Sequence, residues 1–192
     1  NGESAISSES SGHLISIMEI AALVWLLGVL VAVAYAVIGN IRFSISLRKE
    51  KRTTVPSDLQ DLFAQVRDSI GIRSRVRLQL SNSVTSPSLF GLISPVVLIP
   101  RHMAEQLTAT EWECVLRHEL VHFKRKDIWV NTVFNLLAAV HWFNPAIWYG
   151  LKRLRFEQEA ACDVSVIASI GNKDTYVRSI IKVIEIGASR IP

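Results

Sequence analysis

The longest apolar run in the chain covers residues 20–38, IAALVWLLGVLVAVAYAVI, and contains no charged side chain. Apolar residues continue back to Leu14 with few interruptions. About 20 such residues are enough to cross the hydrocarbon core of a bilayer, whereas a helix in a small soluble domain seldom stays apolar on every side. The pattern therefore predicts a transmembrane helix over residues 14–40, preceded by a polar flank at residues 1–13.

Three further stretches predict helices outside this apolar run. Residues 57–70 repeat apolar side chains at helical spacing directly after Pro56. Thr108 or Thr110 begins another helix, because each threonine is followed three residues later by a glutamate, as in a capping box. Residues 173–186 are amphipathic and predict a helix that packs on the rest of the domain.

Short strands are predicted between the first two of these helices. Polar and apolar residues alternate over residues 75–80, and short apolar runs follow at residues 89–93 and 96–99. We expect a small antiparallel sheet with strands near an edge, because the neighbouring prolines cannot donate ladder hydrogen bonds. Its free edge could hold an extended peptide, or the sheet could only support a helix. The fold class is therefore α+β and mostly helical.

Composition and charge place the chain at a membrane. Apolar residues make up 49% of the chain although 20% of its residues are charged. Positive residues cluster at 48–52, 73–77 and 124–126 beside hydrophobic segments, without a nucleic-acid recognition motif. We expect the last cluster, with Asp127, to mark the membrane surface. By the positive-inside bias, the domain after the apolar helix lies in the cytoplasm and residues 1–13 lie outside. The expected partner is the lipid bilayer of the cell membrane, with no direct nucleic acid binding.

The strongest chemical signal is VLRHELVHF at residues 115–123. His118 and His122 are four residues apart, so both imidazoles project from one helix face and can bind a single zinc ion. Glu119 follows the first histidine and is placed to take a proton from water beside the metal. The rest of the helix is apolar, so these polar groups would be buried, and a metal would offset the cost of burying them.

A catalytic zinc site needs a third protein ligand and an open position. The stretch RFEQEAACD, residues 155–163, is compatible with a helix and carries Glu159 and Asp163 four residues apart. One of these carboxylates can bind the metal while the other accepts a ring N–H from a ligating histidine. Glu157 is a rival for the third ligand.

Four separated motifs, LRHELVHFKRKD, WFNPAIWY, EQEAACD and the upstream SPSLFGLISPVVLIP, resemble the integral-membrane metallopeptidase domain of beta-lactam sensor-transducers and related antirepressor proteases. The resemblance covers roughly residues 40–185. It implies a gluzincin-like domain whose site residues lie in two of the motifs: His118, His122 and Glu159 as Zn²⁺ ligands, Glu119 as the catalytic base, and Asp163 as support for a ligand. Glu157 ranks lower than Glu159, because Glu159 lies four residues before Asp163, as in the gluzincin pattern.

Residues 128–151 form a second long apolar stretch. If it crossed the membrane, Glu159 and the two histidines would lie on opposite sides of the bilayer. Asn144-Pro145 disfavours helix before the proline and can begin a new helix, so we predict a hairpin that dips into the membrane and turns near Phe143. Each arm of about 14 residues rises roughly 20 Å, less than the hydrocarbon thickness. The domain at residues 41–192 would then hold its site near the cytoplasmic membrane surface.

The resemblance implies a membrane-bound, zinc-dependent endopeptidase in antibiotic-resistance signalling, which cleaves a cytoplasmic transcriptional repressor or its own chain. The alternative is a membrane signal transducer without catalysis, in which the metal is structural. A structural site would be closed by a fourth ligand, such as Cys114 or Cys162. A peptidase would also need a group that stabilises the oxyanion, with Arg155 and His141 as candidates.

Overall fold

The computed structural model describes residues 16–50 and 54–189. Six helices and three strands lie within these residues, which confirms the predicted α+β, mostly helical fold. The elements follow in chain order: α1 (Ile17–Lys49), α2 (Ser57–Ser69), β1 (Arg77–Ser81), β2 (Ser88–Phe90), β3 (Val96–Pro100), a short 3-10 helix (Arg101–Met103), α3 (Ala109–Lys124), α4 (Asp127–Val140), α5 (Pro145–Ile170) and α6 (Lys173–Ala188). The predicted polar flank at residues 1–13 lies outside the described residues.

The sheet differs from the predicted arrangement in one of its two pairings. Its strand order is β1-β3-β2, and β2 is antiparallel to β3 as expected. β1, however, is parallel to β3, because β3 enters between the other two strands after the chain reverses at residues 91–95. The expectation that the strands lie near an edge is wrong for β3, whose five residues are all buried. Pro100 is tolerated there because it lies at the end of the strand.

α3, the helix that was predicted to carry the histidine pair, lies at the centre of the domain and packs against α2, α5 and α6. It begins after Thr108, whose hydroxyl accepts the N–H of Glu111 while the Glu111 carboxylate accepts the N–H of Thr108. This capping box satisfies two backbone donors that the first turn leaves free. Leu116 and Leu120 are fully buried in the main core with side chains of α2 and the sheet. The opposite face of α3 packs on α5 and α6.

α1 continues beyond the predicted limit at residue 40 and ends at Lys49. It begins with a capping box in which Ser16 and Glu19 satisfy each other's backbone N–H groups. Most of its large apolar side chains are exposed to the surroundings. Within residues 16–50 and 54–189, it is the only helix long and apolar enough to cross a membrane.

α4 and α5 form a helical hairpin with its turn where the sequence predicts one. α4 ends at Val140, and α5 begins at Pro145 with the Asn144 side chain accepting the N–H of Ala146. The second arm does not stop near residue 151, because α5 continues to Ile170. The hairpin arm and the segment that carries Glu159 are therefore one continuous helix, which joins the site mechanically to the hairpin.

The turn of the hairpin packs against the middle of α1. The Trp25 indole N–H donates to the backbone oxygen of Val140 at 2.9 Å. The Trp142 indole lies against Gly28 so closely that a Cβ at that position would overlap it. Glycine at this position lets the ring approach the α1 backbone.

The other end of α4 lies beside the carboxyl-terminal half of α1, since Ile128 lines the same cavity as Asn40. α4 thus runs antiparallel along α1 from the level of Asn40 to the level of Trp25. Those two α1 residues are separated by roughly 22 Å of helix rise. The hairpin therefore follows α1 over most of the thickness of a hydrocarbon core.

Candidate metal centre

Two histidines of α3 and one glutamate of α5 present their side chains to a common point. Nε2 of His118 lies 3.1 Å from Nε2 of His122. The Glu159 carboxylate faces both rings, with Oε2 3.3 Å from His118 Nε2 and Oε1 3.6 Å from His122 Nε2. These three groups form one cluster that could hold a metal ion.

The spacing of the three donors fits one zinc ion. Ligands about 2.0–2.1 Å from a tetrahedral zinc lie about 3.3 Å from one another. The separations of 3.1, 3.3 and 3.6 Å between the three donor atoms are close to that value. Two histidine nitrogens and one carboxylate oxygen also match the donor set of catalytic zinc sites, which keep the fourth position open.

The Asp127 carboxylate determines which nitrogen of His122 carries the proton. Oδ2 of Asp127 lies 2.8 Å from Nδ1 of His122, and the aspartate is only 5% exposed. Because a carboxylate can only accept, Nδ1 donates and Nε2 keeps its lone pair directed at the cluster. Unlike its exposed neighbours at residues 124–126, Asp127 therefore does not belong to a solvent-exposed rim. The side chain folds back under α3 as the partner of His122.

Tyr176 of α6 has the corresponding role for His118. Its hydroxyl donates to Oδ1 of Asp163 at 2.6 Å and lies 2.8 Å from Nδ1 of His118, from which it accepts. Asp163 itself lies 3.4 Å from the same nitrogen, so it supports His118 chiefly through the tyrosine. Nε2 of His118 is then also a lone-pair donor. In this tautomer two imidazole lone pairs and a carboxylate converge on one point, an arrangement that needs a cation there, either a proton on a ring Nε2 or a metal ion.

The pKa shifts of His122 and Glu159 also favour a positive charge between the three groups. Burial lowers the pKa of His122, but hydrogen bonds with Cys162, Glu159 and Asp127 outweigh it and raise that pKa to about 11. Hydrogen bonds from the two imidazoles hold the pKa of Glu159 well below its usual range, although burial opposes them. The surroundings therefore keep the carboxylate ionised and favour positive charge at the centre of the cluster.

Glu119 lies beside this cluster without belonging to it. It lines the same cavity of about 410 Å³ as the two histidines and Glu159. Burial raises the pKa of the Glu119 carboxyl, while the two histidines and a hydrogen bond from the backbone N–H of Leu89 oppose that rise. A carboxylate with a raised pKa is a stronger base than an exposed one, which suits proton transfer near neutral pH.

The rival residues are not brought to the cluster. Glu157 pairs with Arg153 at 2.7 Å, one turn along α5. Among the described residues it belongs neither to this cluster nor to a second group of possible metal ligands formed by His122, Asp127 and Cys162. Of the two candidates for an oxyanion-stabilising group, Arg155 lines the cavity. His141 instead lies at the turn of the hairpin, at the end of α4.

Neither cysteine reaches the open side of the cluster. Sγ of Cys162 lies 3.2 Å from Nδ1 of His122, which is the ring nitrogen turned away from His118 and Glu159. Cys114 is buried in a small core with Cys162 and Tyr176. A closed structural site with a thiolate as fourth ligand does not follow from this geometry.

Sequence reasoning missed several groups that surround the cluster. Asp127 follows the second histidine by five residues, and a carboxylate so close to the motif was a usable signal for a histidine partner. Tyr176 lies on a separate helix 58 positions from His118, and no local pattern points to it. The backbone N–H of Leu89 has no sequence signal at all. Asn131 and Gln158, which also line the cavity, were missed as well.

The fold places a histidine pair on one helix and a glutamate on a later helix within reach of one metal ion, an arrangement typical of metallopeptidase domains. The family model described as BlaR1 peptidase M56 matches residues 5–191. The chain belongs to this metallopeptidase family, which confirms the resemblance found in the motifs. With the apolar helix α1, membership identifies it as a membrane protein of a family of signal transducers and peptidases.

Individual relatives agree with the family assignment. The Regulatory protein BlaR1 of Bacillus licheniformis is 35% identical over 150 residues, which cover 78% of this chain and 25% of that protein. The Methicillin resistance mecR1 protein of Staphylococcus aureus is 26% identical over 106 residues, covering 55% of the chain and 18% of that protein. The Regulatory protein BlaR1 of Staphylococcus aureus is 21% identical over 110 residues, covering 56% and 19%. The matches thus span a quarter or less of these relatives.

Proposed function

We propose that the chain is the catalytic domain of a membrane-bound zinc endopeptidase. His118, His122 and Glu159 are the zinc ligands in this proposal, and Glu119 is the general base. The observation that carries it is the convergence of two imidazole lone pairs and a carboxylate on one point, with separations of 3.1, 3.3 and 3.6 Å. Asp127 and Tyr176 fix the two rings from behind, which is how ligating histidines are usually held.

Each residue around the cavity has its own role in the proposed peptide hydrolysis. A bound zinc ion supplies a Lewis acid that polarises a peptide carbonyl and lowers the pKa of water. Glu119 accepts a proton from water and delivers it to the leaving amine. The N–H of Leu89 holds the Glu119 carboxylate at the cavity wall. Arg155, which lines the cavity, is the nearest candidate for a positive group beside the carbonyl oxygen.

The edge strand β2 supplies a surface on which an extended substrate could lie. Among the described residues β2 pairs with β3 on one side only, and residues 86–89, which lead into β2 and form its start, line the same cavity as the histidines. The Leu89 N–H is hydrogen-bonded to Glu119, so this N–H points toward the cavity. Strand addition at this edge would bring a substrate backbone past Glu119.

The orientation of α1 in the membrane would place this site near the cytoplasmic surface of the bilayer. The amino-terminal end of α1 carries Glu19, whereas its last turn carries Arg48 and Lys49. By the positive-inside bias, that last turn and the domain after it are cytoplasmic. The substrate would then be a cytoplasmic protein or the chain itself. The names of the relatives, a regulatory protein and a methicillin resistance protein, support antibiotic-resistance signalling as the setting. A transcriptional repressor is the substrate class that the motif resemblance implies.

A comparison of Glu119→Gln with wild type in detergent micelles or nanodiscs tests the proposal. We expect the variant to keep one zinc per chain and to lose cleavage of a fluorogenic peptide library by at least about 100-fold, because general base catalysis typically contributes this much. Chelation should abolish wild-type cleavage, and added zinc should restore it. Glu157→Gln is the matched control, since this glutamate is paired with Arg153 outside the cluster. Undiminished cleavage by Glu119→Gln would contradict the role of the base.

A further inference from the structure

Two side-chain amides that line the active-site cavity each have one buried polar atom without a hydrogen-bond partner among the described residues. Asn131 of α4 and Gln158 of α5 line the cavity that also contains His118 and Glu159. Within the described part of the chain, Nε2 of Gln158 and Oδ1 of Asn131 are buried and have no hydrogen-bond partner. The whole Gln158 residue is only 5% exposed. Buried polar atoms are almost always paired in folded proteins, so these two atoms need a partner from outside the protein, either water or a ligand in the cavity.

Their positions relate them to the metal centre. Gln158 directly precedes Glu159 on α5, and Asn131 follows Asp127 by one helical turn on α4. The two helices are the arms of the hairpin and pack against each other. The amides therefore lie on neighbouring helices beside the three converging donors, instead of forming a separate polar site.

The two unpaired atoms have complementary chemistry. Nε2 of Gln158 is a donor, and Oδ1 of Asn131 is an acceptor. A peptide backbone offers one carbonyl acceptor and one N–H donor at each residue. An extended peptide can therefore satisfy both amides at once, whereas a lone anion, a lone cation or an apolar side chain cannot.

We infer that Asn131 and Gln158 bind the backbone of the substrate. Gln158 donates to a substrate carbonyl, Asn131 accepts from a substrate N–H, and together they hold the peptide in register over the metal centre. The inference rests on the proposed peptidase function and adds the groups that recognise the substrate. Because they contact backbone atoms, they select an extended main chain and not a particular side chain.

Substitutions at the two amide positions test this inference. Gln158→Met and Asn131→Leu each remove the whole amide at nearly constant shape, whereas Asn131→Asp keeps the acceptor oxygen. We expect the first two to raise KM about tenfold or more for the peptide that wild type cleaves best, with kcat and zinc content little changed, since an interaction made before and during the reaction affects KM. Asn131→Asp should keep KM close to that of wild type.

Two readouts separate substrate binding from a structural role. Thermal unfolding of Gln158→Met and Asn131→Leu should occur at the wild-type temperature or above, because each removes a buried polar group that lacks a partner. Asn135→Leu, at an exposed position one turn further along α4, is the matched control and should leave KM unchanged.

Substrates with single ester linkages identify the contact itself. Replacing one backbone N–H by oxygen, away from the scissile bond, should raise KM for wild type at one position and have no further effect in Asn131→Leu. The inference is overturned if wild type cleaves peptides while both apolar variants keep its KM, or if every ester has equal effects in wild type and Asn131→Leu. In those cases the proposed function still stands. If wild type cleaves no peptide with zinc bound, both fall together.

Discussion

The Cys162 thiol and the Nε2 atom of His122 lie on opposite sides of the imidazole ring. Sγ is 3.2 Å from Nδ1, whereas Nε2 faces His118 at 3.1 Å. Nδ1 is already bonded to the buried carboxylate of Asp127 at 2.8 Å. The thiol is therefore a neighbour of the hydrogen bond that orients the ring, and it does not face the position where the three donors converge.

This arrangement predicts different effects on zinc affinity for two substitutions on the Nδ1 side of His122. Asp127→Asn should weaken zinc affinity by about 10–100-fold, the usual cost of losing the carboxylate partner of a ligating histidine. Cys162→Ala should change zinc affinity less than about threefold, because the thiol adds no bond on the Nε2 side. Competition titrations with a chelator of known affinity measure both variants. A larger effect of Cys162→Ala than of Asp127→Asn would contradict the assignment of the ring nitrogens.

A second prediction concerns the contact between α1 and the hairpin. Gly28→Ala places a methyl group where the Trp142 indole lies, so the ring must move away from α1. We expect a loss of about 1–3 kcal/mol in the free energy of unfolding, which is typical of overpacking. Gly39→Ala is the matched control in the same helix, since nothing lies within 4 Å of a Cβ there. Unfolding in detergent micelles measures both, and equal stabilities would show that the packing of Trp142 on Gly28 is not important.

A third prediction places the hairpin turn inside the bilayer. Phe143 is 59% exposed at the turn, and α4 runs beside α1 from the level of Asn40 to the level of Trp25. A spin label on Phe143→Cys in lipid nanodiscs should collide with oxygen and be protected from a water-soluble nickel reagent. A label on Gln65→Cys, exposed on α2, should show the reverse. A water-accessible label at position 143 would contradict the membrane-dipping hairpin.

Much of the fold follows from local patterns in the sequence. The capping box at Thr108 and Glu111 fixes the start of α3, and Asn144-Pro145 fixes the start of α5. Both signals act within a few residues, so they can be read without knowing the rest of the molecule. The course of β3 could not be predicted in this way. Its position between β1 and β2 depends on how distant segments pair, and its prolines suggested an edge.

For the candidate site, as for the fold, local sequence patterns predicted one part and tertiary packing determined the rest. The helical spacing of His118 and His122 places both rings on one face of α3, and the gluzincin pattern singles out Glu159. The groups that orient the rings come from tertiary packing. Tyr176 reaches His118 only because α6 returns to α3, and the Asp127 side chain is turned inward at the junction of α3 and α4. No spacing in the sequence points to Tyr176, whereas Asp127 lies only five residues after His122 and could have been considered as its partner.

The central claim is that two imidazoles and one carboxylate hold a zinc ion with no sulfur ligand. Zinc K-edge X-ray absorption on the purified protein tests it most directly. The account predicts one zinc per chain, with nitrogen and oxygen neighbours at about 2.0–2.1 Å, and loss of the metal in Glu159→Ala but not in Glu157→Ala. A sulfur shell at about 2.3 Å, or full zinc retention in Glu159→Ala, would contradict it.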